Sequence, residues 1–187
     1  MNPPELRLFL GLSISSPVKE VIEDFLSSHS HIKGVRWVRT ENLHLTVAFL
    51  GNVPHEMLQN LDSLIQVSVA NQHSFELLAK DIHLGPKPNQ ARLVWTRFHR
   101  SPDFRNLVQA FYQNYSRVRP DFQHRYDPMP HVTLGRFNKA DALQKEKFPL
   151  VFPYDLTLRV ADLHLWSSST KEGIRIYKKL NSYRLNR

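Results

Sequence analysis

Hydrophobic and polar residues alternate at the start of the chain, which is the pattern of a strand with one buried face. One face carries Leu6, Leu8, Leu10 and Leu12 and the other Arg7, Phe9, Gly11 and Ser13. Further apolar or alternating runs predict strands over Val35–Val38, Leu43–Leu50, Phe75–Leu84, Arg92–Phe98, His131–Phe137, Leu156–Trp166 and Ile174–Leu180.

Three other segments place apolar residues at helical spacing. The first and third helices are expected to start with Ser-Pro pairs acting as N-cap and first helical residue, Ser16-Pro17 and Ser101-Pro102. The second is expected to begin at Pro54, and a short fourth helix is predicted over Asp141–Lys147. No segment is polar or simple enough in composition to separate independent domains.

Short matches recur along the chain in one order and at nearly one spacing. Arg7-Leu-Phe-Leu resembles Arg92-Leu-Val-Trp, and Ser16-Pro recurs as Ser101-Pro, both at an offset of 85 residues. His44-Leu-Thr recurs as His131-Val-Thr at 87, and Asp81-Ile-His as Asp162-Leu-His at 81. These matches predict one domain, residues 1–187, built from two related halves, approximately 1–90 and 91–187. Such halves commonly pack about a pseudo-twofold axis around a cleft.

Composition favours an anionic partner. The 187 residues carry a formal charge of +8, with a pI of about 9.9, which suits nucleic acid or a nucleotide. Cysteine is absent, which excludes a thiolate nucleophile and is compatible with a reducing compartment. No apolar run approaches the roughly 20 residues of a membrane span, and the start of the chain does not resemble a signal peptide. A soluble, cytoplasmic monomer is the expectation.

Two His-x-Thr motifs at matched places in the repeats are the main candidates for chemistry. Residues i and i+2 of a strand point the same way, so His44 shares a face with Thr46, and His131 with Thr133. The opposite faces are apolar and should pack on helices. Both His–Thr pairs should then line the cleft, unless two half-buried strands carry these residues by chance.

Two imidazoles and two hydroxyls around one cavity suit the cleavage of a phosphodiester. Histidine titrates near pH 6.5, so one ring can be neutral while the other is protonated. The neutral ring can activate water and the protonated ring can protonate a leaving oxygen. The threonine hydroxyls can donate to anionic oxygens between the rings. A strained cyclic phosphate fits best, because it requires only water, an acid and a base.

The motifs give the chain a family resemblance. Arg7–Phe9, Asn42–Gly51, Arg92–Trp95 and Pro130–Arg136 resemble segments of the LigT-like two-histidine phosphoesterases, above all the RNA 2′,3′-cyclic phosphodiesterases. The resemblance implies an α+β, bilobal fold with two antiparallel sheets, flanking helices and a central cleft. It also implies metal- and cofactor-independent hydrolysis of RNA 2′,3′-cyclic phosphate ends to 2′-phosphates, with 2′,5′ joining of RNA ends in some members.

The same resemblance suggests residue roles. His44 would be the proton donor to the departing 3′ oxygen, His131 the proton acceptor from water, and Thr46 and Thr133 the phosphate-binding residues. Arg136 matches a substrate-binding arginine of the family.

The strand pattern bears on three residues of these motifs, Arg136, Gly135 and Phe9. Strict alternation would turn Arg136 away from His131, unless Gly135 allows a bulge. Gly135 also stands where a larger apolar residue is expected, a difference that should loosen the end of the strand. Phe9, opposite the leucine face of its strand, is the best candidate for stacking on a base.

The remaining candidates are expected to have structural or surface roles. His83 and His164 are expected to be structural or surface residues. The same bases could stack on Trp37, Tyr126 or Trp166, but most aromatic side chains are expected in the core. A basic C-terminal segment, with Lys178, Lys179, Arg184 and Arg187, is expected to be solvated.

Two different functions remain open from the sequence. One is hydrolysis of a smaller cyclic phosphate, such as a cyclic nucleotide or ADP-ribose cyclic phosphate. The second is non-catalytic binding of RNA or a nucleotide, which would explain the charge equally well.

Overall fold

The computed structural model describes residues 4–85, 91–120, 128–137 and 156–187. Its strands are β1 Glu5–Ser13, β2 Val35–Trp37, β3 His44–Pro54, β4 Phe75–Gly85, β5 Leu93–Phe98, β6 His131–Phe137, β7 Thr157–Val160, β8 Asp162–Lys171 and β9 Ile174–Arg184. Its helices are α1 Ser16–Ser28, α2 Leu58–Val69 and α3 Pro102–Val118. The helix expected over Asp141–Lys147, and Tyr126, lie outside the described residues.

The strands of the described segments form one antiparallel sheet in the order β7-β4-β5-β6-β3-β1-β8-β9, with β2 on β6. We name β3, β1, β8 and β9 the His44 half-sheet, and β6, β5, β4, β7 and β2 the His131 half-sheet. The two are joined by the pairing of Leu45 with Val132. The sheets expected from the resemblance therefore meet edge to edge through β3 and β6.

The strand order is symmetric about this junction. On either side of it the sequence of strands is β3-β1-β8 and β6-β5-β4, and the internal matches relate these strands in the same order. Each half-sheet contains strands from both halves of the chain, because β4 joins β5 while β8 joins β1. The proposed halves, 1–90 and 91–187, would thus exchange their last strands.

Both His–Thr strands carry the same irregularity. Against β1, Thr46 pairs with Gly11 and Ala48 with Leu10, so one residue of β3 is skipped. Against β5, Thr133 pairs with Trp95 and Gly135 with Val94, so one residue of β6 is skipped. A β-bulge at the same place in both halves changes the side-chain alternation beyond each threonine.

The core lies between the sheet and the helices. Its members are fully buried strand residues such as Leu10, Leu45 and Val132, each at most 1% exposed, and the apolar faces of α1, α2 and α3. Ser101 caps α3 by accepting a hydrogen bond from the Phe104 amide at 3.2 Å, an interaction typically worth about 1 kcal/mol. No helix in the described segments is both long and apolar enough to cross a bilayer.

Several boundaries differ from the prediction, and three of the differences concern the helix starts and a division of one strand. Pro54 is the last residue of β3, and α2 starts four residues later after a 3₁₀ turn. Ser15 is the N-cap of α1, and Ser16 is its first helical residue. The strand expected over Leu156–Trp166 is divided at Ala161, because β7 pairs with β4 while β8 pairs with β1.

Candidate active site

The His–Thr pairs lie at the junction of the two half-sheets. The strands β3 and β6 run antiparallel through the Leu45–Val132 pair, and both of these residues point into the core. Their neighbours therefore face the other way, which we call the site face. Continuing the register by one residue sets His44 beside Thr133, and Thr46 beside His131. His44 and His131 therefore occupy diagonal positions on the two strands. Positions of this kind are about 7–8 Å apart, a separation that leaves room for a phosphate between the rings.

Each histidine is held by the same hydrogen bond. The Nδ1 atom of His44 lies 2.7 Å from the Asn42 carbonyl oxygen, and that of His131 lies 2.8 Å from the Met129 carbonyl oxygen. A carbonyl only accepts, so Nδ1 must carry the hydrogen and donate it. This fixes the tautomer and leaves Nε2 of both rings available on the site face.

Both histidines are poised to lose protons easily. Burial lowers the pKa of His44 below 6.5, the hydrogen bond to Asn42 opposes this, and the positive charges of Arg136 and His131 lower it further. Burial also lowers the pKa of His131, with the Met129 hydrogen bond opposing and Arg136 adding to the effect. A neutral imidazole, the form required of a general base, is therefore favoured near neutral pH in the empty site.

Arg136 lies on the site face, because its partner Leu93 shares a strand face with Trp95, the partner of Thr133. It is exposed, and its charge depresses the pKa of His44 and of His131. The bulge between Thr133 and Gly135 explains how it comes within reach, because the skipped residue reverses the alternation expected from sequence. Arg136 thus places a cation beside the two histidines.

Gly135 keeps the end of β6 closely packed instead of loosening it. A Cβ on Gly135 would lie 2.6 Å from Val35 Cγ1 and 2.9 Å from Trp37 Cε3. The space that a larger residue would fill is occupied by β2, which pairs with β6 from Gly135 to Phe137. The expectation of a loose strand end was wrong for this reason.

Phe9 is placed beside His44, but not as a base-stacking residue. Its ring centroid is 4.7 Å from that of His44, and it stacks on Trp166 at 6.0 Å. Only 2% of Phe9 is exposed, so no open face remains for a nucleobase. The expectation is corrected accordingly: Phe9 supports the His44 ring from within the protein.

Other aromatic residues that sequence reasoning did not select complete the site face. Tyr177 of β9 meets His44 edge to face at 5.0 Å. Phe49 of β3 is 66% exposed and lies 6.4 Å from Phe9. The signal available for Phe49 was its spacing, because it lies three residues beyond Thr46 as Arg136 lies three residues beyond Thr133. Nothing local in β9 marks Tyr177.

Among the described residues, His131 has one aromatic neighbour in place of this cluster. The Trp95 ring stacks on His131 at 4.3 Å with an interplanar angle of 27°. Gly85 makes room for it, because a Cβ there would lie 2.8 Å from three atoms of the indole. The orientation of His131 therefore depends on a glycine two strands away.

A lysine from the predicted basic segment also reaches the site face. The Lys179 ammonium lies 3.1 Å from Ser13 Oγ and 5.1 Å from the centre of the Trp166 ring. Ser13 is the cross-strand partner of His44, so this cation lies one residue from the candidate catalytic ring. The ammonium is also 3.4 Å from Nε2 of His164, a ring that must accept and is therefore neutral.

His164 has a structural place consistent with its expected role. It is 7% exposed, and its Nδ1 lies 2.9 Å from Ser182 Oγ. Burial and the Lys179 charge lower its pKa to about 4, against the opposing charge of Asp162. In the other half-sheet the matched residue is His83, which lies beside an ion pair between Arg97 and Asp81.

This arrangement can perform acid–base chemistry on an anion. The register places both rings and both threonines on the site face, Nε2 of each ring is left free by the Nδ1 hydrogen bond, and Arg136 provides positive charge. Each proton transfer of this kind typically contributes 10²–10⁴ in rate.

Comparison with known proteins agrees with the site. The family model "LigT like Phosphoesterase" matches residues 12–95, which include His44 and Thr46. A protein of Methanocaldococcus jannaschii named RNA 2′,3′-cyclic phosphodiesterase is 33% identical over 146 residues, covering 76% of this chain and 78% of that protein. One of the same name from Escherichia coli is 28% identical over 187 residues, covering 99% of both.

Solved structures extend the match to the second half of the chain. The crystal structure of E. coli LigT complexed with 3′-AMP is 27% identical and superimposes with a TM-score of 0.79, covering 98% of this chain and all of that one. The paired histidine strands, the two-part sheet and these relatives agree, and the chain belongs to the family of LigT-like phosphoesterases.

Proposed function

We propose that this chain hydrolyses RNA 2′,3′-cyclic phosphate ends to 2′-phosphomonoesters by an acid–base mechanism. The observation that carries the proposal is the matched tethering of two histidines, each through Nδ1 to the carbonyl two residues before it. Rings held in this way keep Nε2 free, and the register at the Leu45–Val132 pair places both rings on one face of the sheet. An in-line displacement needs this geometry, with one proton taken from the attacking oxygen and one given to the departing oxygen.

In the proposed reaction, a water molecule attacks the phosphorus opposite the 3′ oxygen. His131 Nε2 accepts the proton of this water as the new P–O bond forms. His44 Nε2–H donates its proton to the 3′ oxygen as the P–O3′ bond breaks, which leaves a 2′-phosphate and a 3′-hydroxyl. Thr46, Thr133 and Arg136 bind the non-bridging oxygens, whose charge grows in the transition state. Proton exchange with solvent returns both histidines to their starting states.

The assignment of acid and base follows the family resemblance. Hydrogen bonding and burial treat the two rings alike, so the local geometry does not distinguish the donor from the acceptor. An anionic substrate would raise the pKa of both rings and help His44 to hold its proton.

RNA is the proposed partner, and the chain is proposed to act as a cytoplasmic monomer. The relatives' names specify RNA, and the +8 charge favours a polyanion. The exposed face of Phe49 offers a stacking surface for a terminal base.

The test is incubation with an oligonucleotide that ends in a 2′,3′-cyclic phosphate, in the presence of EDTA. We expect conversion to the 2′-phosphate, identified by comparison with both isomers, and no loss of rate in the chelator. Tight binding of the RNA with an unaltered end would favour non-catalytic binding as the function.

Two further substrates distinguish this hydrolysis from action on a small cyclic phosphate and from the joining of RNA ends. A higher kcat/KM on ADP-ribose cyclic phosphate than on the oligonucleotide would identify the smaller molecule as the preferred substrate. Addition of an RNA with a 5′-hydroxyl tests 2′,5′ joining, which would produce a longer product.

A further inference from the structure

We infer that the RNA strand leaves the active site in one direction, past Ser13 and the corner between β7 and β8, along a basic track that runs from Lys179 to Arg159 and Arg184. This inference rests on the proposed function, because it assigns a path to the nucleotides preceding the cyclic phosphate. It also names the preferred substrate class, an oligonucleotide over a mononucleotide.

The track begins at the candidate catalytic residue. Ser13 pairs with His44 across β1 and β3, and its hydroxyl lies 3.1 Å from the Lys179 ammonium. Among the described residues, no carboxylate lies within ion-pair distance of that ammonium. Its neighbours are the neutral His164, the Trp166 ring and Ser13. Its charge is therefore available to a phosphate placed next to the reacting one.

Two adjoining cavities continue the track. The first, of about 170 Å³, is lined by Ser13 and His164 and reaches Arg159 and Asp162. The second, of about 250 Å³, shares Arg159 with the first and adds Arg184 and Arg187. Of the described residues, three arginines and one acidic side chain, that of Asp162, line the two cavities. That carboxylate is 3.6 Å from Arg184, whose side chain is 67% exposed.

The backbone around the second cavity is held by hydrogen bonds. The Ser74 amide donates to the Asn186 carbonyl at 2.7 Å, and the Leu185 amide donates to the Ala161 carbonyl at 2.9 Å. These bonds tie the end of β9 to the β7–β8 corner. The arginines are therefore attached to a defined surface.

The matched place in the other half-sheet cannot serve the same purpose. There Arg97 pairs with His131 across β5 and β6, as Ser13 does with His44. The Arg97 guanidinium is engaged by both oxygens of Asp81, with Nε 2.7 Å from Oδ1. No strand in the described segments flanks β4 beside His83, since β7 pairs only with Phe75–Leu78. At these matched places, Arg97 is thus neutralised by Asp81, whereas Lys179 is engaged by no carboxylate of the described residues.

The test compares one substrate that can reach the track with one that cannot. We would measure kcat/KM on a pentauridylate ended by a 2′,3′-cyclic phosphate and on uridine 2′,3′-cyclic monophosphate, between about 50 and 200 mM salt. Lys179→Gln, and Arg159→Gln combined with Arg184→Gln, should each lower the oligonucleotide-to-mononucleotide ratio about tenfold at low salt. Each lost phosphate contact should also reduce the slope of log kcat/KM against log salt by about 0.7.

Matched controls are Lys80→Gln on β4 and Arg105→Gln on α3, which remove exposed cations elsewhere. They should leave the ratio and the slope unaltered. A constant ratio in the track variants, or an equal fall in the controls, would overturn the track while leaving the proposed hydrolysis intact. Failure of the wild-type protein to turn over either substrate would instead contradict the proposed function. The track would then be tested by fluorescence anisotropy with a 2′-phosphate-ended pentauridylate. Weaker binding by the track variants than by the controls would support it, and equal binding would overturn it.

Discussion

The two halves of the site hold equivalent histidines in unlike surroundings. In each half-sheet, the two strands beyond the histidine strand carry one tryptophan and one glycine. Their positions are exchanged between the two half-sheets. In the His131 half-sheet, Trp95 pairs with Thr133 and Gly85 lies on the outer strand. The tryptophan is then close enough to stack on His131 directly.

In the His44 half-sheet the glycine is inside and the tryptophan outside. Gly11 pairs with Thr46, and Trp166 is one strand further out on β8. Phe9 fills the interval, contacting His44 on one side and Trp166 on the other. The comparison shows that the backbone keeps the two-fold arrangement needed to oppose two imidazoles, while side-chain exchange gives each ring its own environment.

The largest effects should come from removing the rings themselves. His44→Ala and His131→Ala should each lower kcat/KM on the cyclic-phosphate oligonucleotide by about 10²–10⁴. In the residual activity, His44→Ala should lack the alkaline limb of the pH profile, because that limb reports the acid. His131→Ala should lack the acid limb, which reports the base.

The exposed His99 provides a matched control, and His99→Ala should keep both limbs. Loss of the opposite limb in each variant would exchange the roles of His44 and His131. Wild-type rates in either variant would contradict the two-histidine mechanism.

A smaller effect is expected from the hydroxyls. Thr46→Val and Thr133→Val each remove a donor to charged oxygen, worth about 1.5–3 kcal/mol, and should lower kcat/KM roughly 10–100-fold. The serine variants keep the hydroxyl and should recover most of the rate. Equal rates for valine and serine at either position would show that this hydroxyl does not contact the phosphate.

The matched histidines His164 and His83 should differ in their effect on stability. Because the pKa of His164 falls from 6.5 to about 4 on folding, the unfolded chain binds more protons between these values. The free energy of unfolding should therefore decrease as the pH falls through this window, by on the order of 2 kcal/mol. Urea denaturation from pH 7 to pH 4 measures this loss.

His164→Gln should flatten that pH dependence, since glutamine does not titrate. His83→Gln should change it less, because burial and the Arg97 charge lower the pKa of His83 while the Asp81 charge opposes them. The same slope in His164→Gln as in the wild type would contradict the assignment.

The smallest effect concerns the exposed position two residues beyond each bulge, Phe49 in one half-sheet and Arg136 in the other. Arg136 lowers the pKa of both histidines, so Arg136→Gln should move both limbs of the kcat/KM profile to higher pH. Phe49→Leu carries no change of charge and should leave the limbs in place. A profile displaced by Phe49→Leu as well would show that the shift does not arise from the arginine's charge.

Local patterns predicted the parts of the site that a strand encodes by itself. Alternation placed each histidine on a face with its threonine, and the bounds of β6 were those expected. The Arg136 orientation and the burial of Phe9 were not predictable in this way. A one-residue bulge reversed the first, and neighbours from β8 and β9 covered the second.

The basic segment shows the same limit. Lys179 is exposed like its neighbours, as expected, but β9 also folds back beside β8 and brings its ammonium to Ser13, a contact between residues 166 positions apart. Nothing local to residue 179 carries that information, because the pairing depends on strands from both ends of the chain.

The sequence by itself determined the repeated unit, the two His-x-Thr strands and the polarity of their faces, since these depend on periodicity within a few residues. Only the tertiary structure decided how the units exchange strands, which rings pack against each histidine, and that Asp81 neutralises Arg97 while Lys179 reaches Ser13. Those properties arise from contacts between distant segments, whose free energy depends on packing that no local pattern specifies.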